Sequence, residues 1–335
     1  MVTATRQNAL DTFGTAAIGG QGVEDIIRSG GGDFELRKVS LDEWSGKPCV
    51  PGHHVVVRTD TNTAVGTVGE SYQPLDNMEF FVPIANELVS ETGARIDRFS
   101  MLDGGAKSVM NLSWGKDIRV GNAQTGDIVG RRAVITTGHD GKWAGKLILQ
   151  AMRLVCSNGM TVPCGENEFS LTHGSGGSRK LADIVRLIPR ISSYFEHFAE
   201  AASMMAETPI LSSSDRCREI VQKIVDPEKK AGENKTGGFN RAAERVNTVL
   251  NLFADRQPGA EHEAVHNTAW GLFNAASDFY NHGKTIRGDN VEERRFRSLI
   301  PGKNGGPAAR DIVRAWGIVN DECGITEAIK AATCN

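Results

Sequence analysis

The sequence predicts an α+β protein: an antiparallel β-meander with one inserted helix, followed by a mostly helical C-terminal half. Two observations predict this fold. Between residues 54 and 156, β-branched runs alternate with tight-turn signals, whereas from residue 178 onward apolar residues recur with a helical period. Because strands and helices fall in separate blocks, α+β is favoured over a wound parallel sheet.

The strand-rich half is predicted to contain three hairpins and one helix. Asn77 is the expected N-cap of that helix, which runs to Gly93 and is kinked or delayed by Pro83. The three hairpins are His54–Thr59 with 64–68, 95–102 with 107–114 around Asp103-Gly104-Gly105, and 127–137 with 143–156 around His139-Asp140-Gly141.

The second half is predicted to open with a long amphipathic helix from Ser178 to Glu207, kinked by Pro189. Further helices are predicted at 213–226, 239–255, 260–282, 290–299, 307–319 and 325–333. The expected domains are a flexible N-terminal arm over 1–50 with a short helix near Val23–Arg28, a β-rich domain over 51–175 and a helical domain over 176–335.

Composition narrows the class of protein. The 335 residues are 39% apolar and 24% charged, which is typical of a globular chain and not of a disordered one. No apolar run approaches the roughly 18–20 residues of a transmembrane helix, and the N-terminus does not resemble a signal peptide. Six cysteines in so long a chain are interpreted as reduced thiols, so a cytoplasmic location and no membrane partner are expected.

The distribution of charge predicts a nucleic-acid site. The net charge of −3 excludes binding by bulk charge, but residues 131–190 hold nine basic and four acidic residues. Single-stranded nucleic acid is bound by cations, which contact its phosphates, and by aromatic rings, on which its bases stack. The alternative interpretation of this run of basic residues is a solvated helix face. The predicted binding residues are Arg131, Arg132, Lys142, Trp143, Lys146, Arg153, Arg179, Lys180, Arg186 and Arg190.

Residues 174–180 join the predicted domains through a glycine-rich segment that precedes a helix. This segment is interpreted as a flexible joint capped by Ser178, and a phosphate cradle is compatible with that interpretation.

A formal H-E-x-x-H motif begins at His262 and ends at His266. On a helix, these two imidazoles can share a zinc ion with Glu263 as general base. The motif follows Gln257-Pro258-Gly259, and both histidines fall on the flank of the apolar face, so a surface histidine pair is the favoured interpretation.

Apart from this motif, no sequence pattern indicates an enzyme, and a non-enzymatic protein is favoured over the zinc-dependent alternative. The chain has neither a G-x-S-x-G nor a C-x-x-C motif, and Cys156 ends an apolar strand in the manner of a buried structural thiol. No catalytic residue and no cofactor is therefore predicted.

Several short stretches together resemble a known family. They are 57–60, 68–74 with Asn77, 139–141, 153–158 and 268–275 closing at Asp278 and His282. This order of motifs, over roughly residues 50–300, resembles the phage/plasmid-like protein family, a domain of unknown function carried by bacteriophages and mobile elements. The resemblance implies an origin in a mobile element and a location in the bacterial host cytoplasm.

The order of elements is also similar, at the level of fold, to the ring-forming Redβ/RecT-type single-strand annealing proteins. That similarity implies a non-enzymatic protein that binds single-stranded DNA in recombination and self-associates into a homo-oligomer or ring. The DNA would lie between the 131–153 hairpin and Arg179, Arg186 and Arg190. The alternatives are a structural or anti-defence protein with a host protein partner, and a zinc-dependent hydrolase.

Overall fold

The computed structural model describes residues 8–122, 126–153, 158–160, 168–171, 185, 188, 191–225, 236–256, 263–286, 288–302 and 305–326. Over these residues, antiparallel strands dominate the first half and helices the second, so the predicted α+β class is confirmed. The strands are β1 Thr15–Ala16, β2 Leu36–Ser40, β3 His53–Arg58, β4 Thr63–Gly69, β5 Arg95–Leu102, β6 Lys107–Val120, β7 Asp127–Gly138, β8 Gly145–Arg153, β9 Asn158–Met160 and β10 Glu168–Leu171.

The described strands form two antiparallel sheets. The larger has the order β1-β5-β6-β7-β8-β10, with β9 paired to β8, and the smaller has the order β2-β3-β4. All three predicted hairpins are present, because Asp-Gly and Asn-containing turns and alternating apolar residues act over short distances.

Ten α-helices lie in the described residues, and two π-helical segments continue α7 and α8. The α-helices are α1 Ala9–Thr12, α2 Val23–Ser29, α3 Leu41–Ser45, α4 Asn77–Thr92, α5 Ile191–Glu207, α6 Asp215–Val225, α7 Thr236–Asn251, α8 Ala269–Asp278, α9 Val291–Leu299 and α10 Pro307–Glu322. The π-helical segments are Leu252–Arg256 and Phe279–Gly283.

Helix α4 matches the predicted helix, and Pro83 lies inside it. Its N-cap is Asp76 rather than the predicted Asn77, because Asp76 and Glu79 form a reciprocal capping box. Asn77 is instead fully buried, and its amide donates to the carbonyl oxygen of Gly32 at 2.9 Å.

The predicted helix over 260–282 starts later than expected. Residues 263–267 form turns, and α8 begins at Ala269, where the Thr268 hydroxyl accepts from the backbone N–H of Gly271 at 3.0 Å. This cap stops the helix from extending back through the histidine motif. The first part of the predicted long helix and most of the predicted helix over 325–333 lie outside the described residues.

The predicted flexible arm is, over residues 8–50, folded onto the rest of the protein. Strand β1 pairs with β5, and β2 pairs with β3. Leu10 and Ile26 are buried in an apolar cluster that runs from Ala9 to Ile325 and includes residues of all three predicted domains. The arm is held because its few apolar side chains complete this core, and its many glycines only shape the turns between them.

Helices cover both faces of the larger sheet. Phe99 packs against Phe81 of α4, and Trp114 packs against Phe195 of α5, and the strand register puts Phe99 and Trp114 on one face. Asn111 points to the opposite face, where its amide donates to the carbonyl oxygen of Leu10 at 2.7 Å. Strand β7 is buried along most of its length because it is covered from both sides.

Among the described residues, no helix has both the length and the apolar character that a bilayer crossing requires.

Candidate nucleic-acid interface

The turn between β7 and β8 carries the predicted aromatic residue and one predicted lysine. Lys142 is exposed, and Trp143 is partly exposed beside it. The Lys142 side chain makes no ion pair with any residue in the described part of the chain, and its backbone N–H donates to a carboxylate oxygen of Asp140 at 2.9 Å. The turn therefore presents an ammonium group that no described carboxylate neutralises, and the tryptophan beside it is only half-buried against the core.

Buried contacts hold this turn in place. The Tyr72 hydroxyl donates to the carbonyl oxygen of Gly138 at 3.0 Å, and the imidazole of His139 lies 3.1 Å from the Asn77 amide oxygen. Burial first, and then the charge of Asp140, raises the pKa of Tyr72, so its hydroxyl stays protonated and donates. The turn is anchored to the smaller sheet at its base while Lys142 remains in solvent.

Strand β4 approaches the turn so closely that a side chain does not fit between them. A Cβ on Gly66 would lie 2.3 Å from the Cα of Asp140 and 3.0 Å from the carbonyl oxygen of His139. Gly66 is needed at this crossing because the atoms that a side chain would meet belong to backbone.

Lys107 is a second cation at the ring, and the sequence reasoning missed it. Its ammonium lies 5.3 Å from the centroid of the Trp143 ring, within the range of a cation–π contact. It also makes ion pairs of 2.8 Å with Asp103 and 3.2 Å with Asp140. The sequence predicted the two hairpins that hold Lys107 and the turn, but not the pairing between them that places Lys107 opposite Gly138, next to the turn.

Lys146 lies further along β8, and its charge is neutralised. Its ammonium is 2.6 Å from a carboxylate oxygen of Glu168 on β10. Lys146 and Trp143 line a small cavity of about 60 Å³ whose other wall includes Ile300 and Pro301. Thr136, Lys142 and Lys146 are the polar residues among its described lining, and the cavity is too small to hold a base.

Arg132 and Arg153 do not contribute to a basic groove, which corrects the prediction for both. Arg132 is buried and pairs with Asp11 of α1. Arg153 has no exposed surface, and its Nε donates to Asp127 at 2.6 Å. Each guanidinium is held by a carboxylate inside the core, because a buried charge is tolerated only when it is paired.

Arg131 is also turned away from solvent over part of its surface. Its guanidinium lies 5.3 Å from the centroid of the Phe195 ring on α5. Burial lowers the pKa of Arg131, and the negative charges of Glu196 and Asp117 partly offset this by raising it. Arg131 and Arg132 project to opposite faces of the sheet, so the hairpin does not gather its arginines into one surface. Arg179, Lys180, Arg186, Arg190 and the glycine-rich segment 174–180 lie outside the described residues.

The described part of the histidine motif lies at a turn. Glu263 and His266 line an open cavity of about 610 Å³ together with Glu207. The Nε2 atom of His266 lies 3.0 Å from the amide nitrogen of Asn267. In the described part of the chain, no three metal-ligating side chains lie close enough together to hold an ion, and His262 lies outside that part. The helical spacing on which the zinc interpretation depended is absent over 263–267.

These features define a class: an α+β protein whose antiparallel sheet is covered by helices on both faces and whose β7–β8 turn carries an exposed lysine and a half-buried tryptophan. The chain belongs to a family of domains of unknown function, DUF932, whose model matches residues 64–300. The predicted resemblance to a domain of unknown function is thereby confirmed. No curated protein and no solved structure matches the chain.

Proposed function

We propose that this protein is a non-enzymatic single-stranded DNA-binding protein whose contact surface is the β7–β8 turn. One observation carries the proposal: the half-buried Trp143 directly follows the exposed Lys142, which makes no ion pair with any described residue, and the Lys107 ammonium lies 5.3 Å from the centroid of the Trp143 ring. Stacking of bases on an aromatic ring with cations for the flanking phosphates is the usual chemistry of sequence-tolerant single-strand binding.

The proposed surface is narrower than the groove predicted from the sequence. Arg132 and Arg153 are excluded by their ion pairs, and Lys146 binds only if Glu168 releases it. The contacts that remain are base stacking on Trp143 and phosphate binding by Lys142, with Lys107 acting at the ring. Binding through so few cations is weak for one subunit, which favours a homo-oligomer that presents several copies of the turn to one strand.

In this proposal the protein anneals strands for recombination in a mobile element, in the cytoplasm of a bacterial host. Annealing of this kind needs binding energy from counterion release and stacking, and neither a cofactor nor a nucleotide.

A fluorescence-anisotropy titration with a labelled oligothymidine at low salt tests the proposal. Trp143→Ala is expected to weaken binding by about 1–3 kcal/mol, the contribution of one stacked base. Trp44→Ala is the matched control, because Trp44 is also partly exposed, at 37%, but lies on α3. Lys142→Glu is expected to weaken binding further, with Lys223→Glu on α6 as its control.

Two outcomes contradict the proposal. One is wild-type protein that shows no binding at low salt. The other is Trp143→Ala and Lys142→Glu variants that bind as tightly as their controls. Size-exclusion chromatography with and without the oligonucleotide tests the assembly separately. The proposal expects a larger species that DNA stabilises. A monomer in both runs would contradict the homo-oligomer but not DNA binding by a single subunit.

A further inference from the structure

The helical half contains a cationic cavity that the proposed function does not use. It has a volume of about 210 Å³ and lies between the C-terminal end of α6, helix α7, the π-helical segment Phe279–Gly283 and helix α10. The described residues that line it are Val225, Arg245, Phe279, Tyr280, Lys284, Asp311 and Arg314.

The charges of the described residues around this cavity do not cancel. Asp311 is its one carboxylate among the described lining residues, and it is shared: Arg314 Nη1 lies 3.0 Å from one oxygen and Lys284 Nζ lies 3.3 Å from the other. Arg245 is a third cation on the wall, and it is exposed on α7. Among the described lining residues, three cations and one carboxylate leave an excess of two positive charges facing a concave space.

Arg314 is held rigidly. Its Nη2 donates to the carbonyl oxygen of Ile224 at 2.9 Å, and the Tyr280 hydroxyl donates to the same oxygen at 3.0 Å. Burial raises the pKa of Tyr280 to about 12, so the hydroxyl remains a donor at neutral pH. The carbonyl at the C-terminal end of α6 is satisfied by these two donors, which reduces the negative potential it would otherwise give the cavity.

Arg314 also has donor capacity left over. Its Nε is buried and has no hydrogen-bond partner in the described structure. A buried guanidinium N–H without an acceptor is costly, and sites where this cost persists are commonly completed by a ligand or by water.

The backbone at this cavity is irregular. Helix α8 widens into a π-helical turn at Phe279–Gly283, which brings Tyr280 to the cavity with Lys284 directly after it. Single π-turns inside α-helices occur frequently at functional sites, because the inserted residue shifts the side chains that follow it.

We propose that this cavity binds a small phosphate-class anion through Arg245, Lys284 and Arg314. A volume of about 210 Å³ is large enough for a tetrahedral oxyanion with some of its water, since one water occupies about 30 Å³. The planar guanidinium of Arg314, already oriented by Ile224 and Tyr280, matches two oxygens of such an anion, and the lysine supplies a point charge. The site is separate from the β7–β8 turn, so it adds to the proposed function and does not depend on it.

Isothermal titration of the full chain with inorganic phosphate, at constant ionic strength set by chloride, tests the proposal. Adenosine monophosphate and adenosine are the second and third ligands, because they distinguish a phosphomonoester from the free ion and from the nucleoside. The proposal expects saturable binding of phosphate or of the monophosphate, and none of adenosine. Arg245→Ala and Lys284→Ala are each expected to weaken binding at least tenfold.

Arg310→Ala is the matched control, because Arg310 lies one turn before Arg314 on α10 but is exposed and donates to the carbonyl oxygen of Gly305 at 2.9 Å. It is expected to bind as the wild type does, and so are Trp143→Ala and Lys142→Glu. Absence of phosphate and monophosphate binding overturns the proposal, and so does binding that survives Arg245→Ala and Lys284→Ala. Because the ligands contain no DNA, failure here leaves the anisotropy result unaffected.

Discussion

Arg153 and Trp270 both donate a hydrogen bond to the same carboxylate oxygen of Asp127, at 2.6 Å and 2.9 Å. All three residues are buried. Arg153 lies on β8 and Trp270 on α8, so one carboxylate joins the larger sheet to the C-terminal helices. A residue that the charge pattern indicated for DNA contact thus connects the two halves of the fold.

The first prediction concerns this buried pair. Asp127→Ala is expected to reduce the free energy of unfolding by about 3–5 kcal/mol, because it removes one partner of a fully buried ion pair. Urea denaturation followed by circular dichroism measures the change. Lys223→Ala, which breaks the exposed pair with Glu322, is the control and is expected to cost about 0–1 kcal/mol. A decrease in the free energy of unfolding as small as that of the control would contradict a stabilising role for the buried Asp127–Arg153 ion pair.

The double variant Asp127→Leu/Arg153→Met is expected to recover part of the stability.

The second prediction concerns the crossing of β4 over the β7–β8 turn. Gly66→Ala is expected to destabilise the protein by about 1–3 kcal/mol, since the new Cβ meets the backbone of Asp140. Gly69→Ala is the matched control on the same strand, because its Cβ would have no atom within 4 Å. Thermal unfolding of both variants gives the comparison. Equal melting temperatures would show that the turn is free to move away from β4.

The third prediction concerns the pH dependence of Asp103. Hydrogen bonds from Arg297 and then from Lys107 lower the pKa of this carboxyl to about 2. Because the folded pKa lies below the ordinary value of 3.8, the contribution of Asp103 to stability is present above that value and is lost as the pH falls towards about 2. Arg297→Gln is expected to raise the pKa of Asp103 towards its ordinary value, as followed by carbon-detected NMR titration. An unchanged pKa in that variant would contradict the assignment of Arg297 as the main cause.

The fourth prediction concerns the salt dependence of oligonucleotide binding and rests on the proposed function. One phosphate contact, from Lys142, corresponds to a slope of log Kobs against log salt of about −0.7. If Arg179, Lys180, Arg186 and Arg190 also bind phosphates, five contacts give a slope of about −3.5. Anisotropy titrations between low and moderate salt distinguish the two values. A slope near −0.7 that becomes shallower in Lys142→Glu supports the narrow surface, whereas a slope that Lys142→Glu leaves unchanged contradicts it.

Much of the strand-rich half could be predicted because its signals are local. The hairpin β5–β6 turns at Asp103–Gly105, where Asp103 and Gly104 adopt positive φ, as the Asp-Gly-Gly sequence indicates. The start of α8 could not be predicted in this way. Apolar spacing continues back through Val265, but the Thr268 hydroxyl ends the helix there by capping it.

The candidate site was only partly predictable, for a physical reason that the arginines illustrate. Lys142 and Trp143 lie on a turn, and turns are exposed because their backbone needs water or local partners. Arg132 and Arg153 lie on strands, and the exposure of a strand residue depends on what packs on its face of the sheet. A run of positive charge in the sequence does not contain that information.

By itself, the sequence determined the α+β class, the hairpins and the turn that exposes Lys142 and Trp143, because each follows from residues close together in the chain. Only the tertiary structure decided which cations stay free to bind a ligand. Asp11 reaches Arg132 across 121 positions, and Trp270 reaches Asp127 across 143. Electrostatic neutralisation depends on distance in space, and folding sets that distance by bringing together residues that are far apart in the chain.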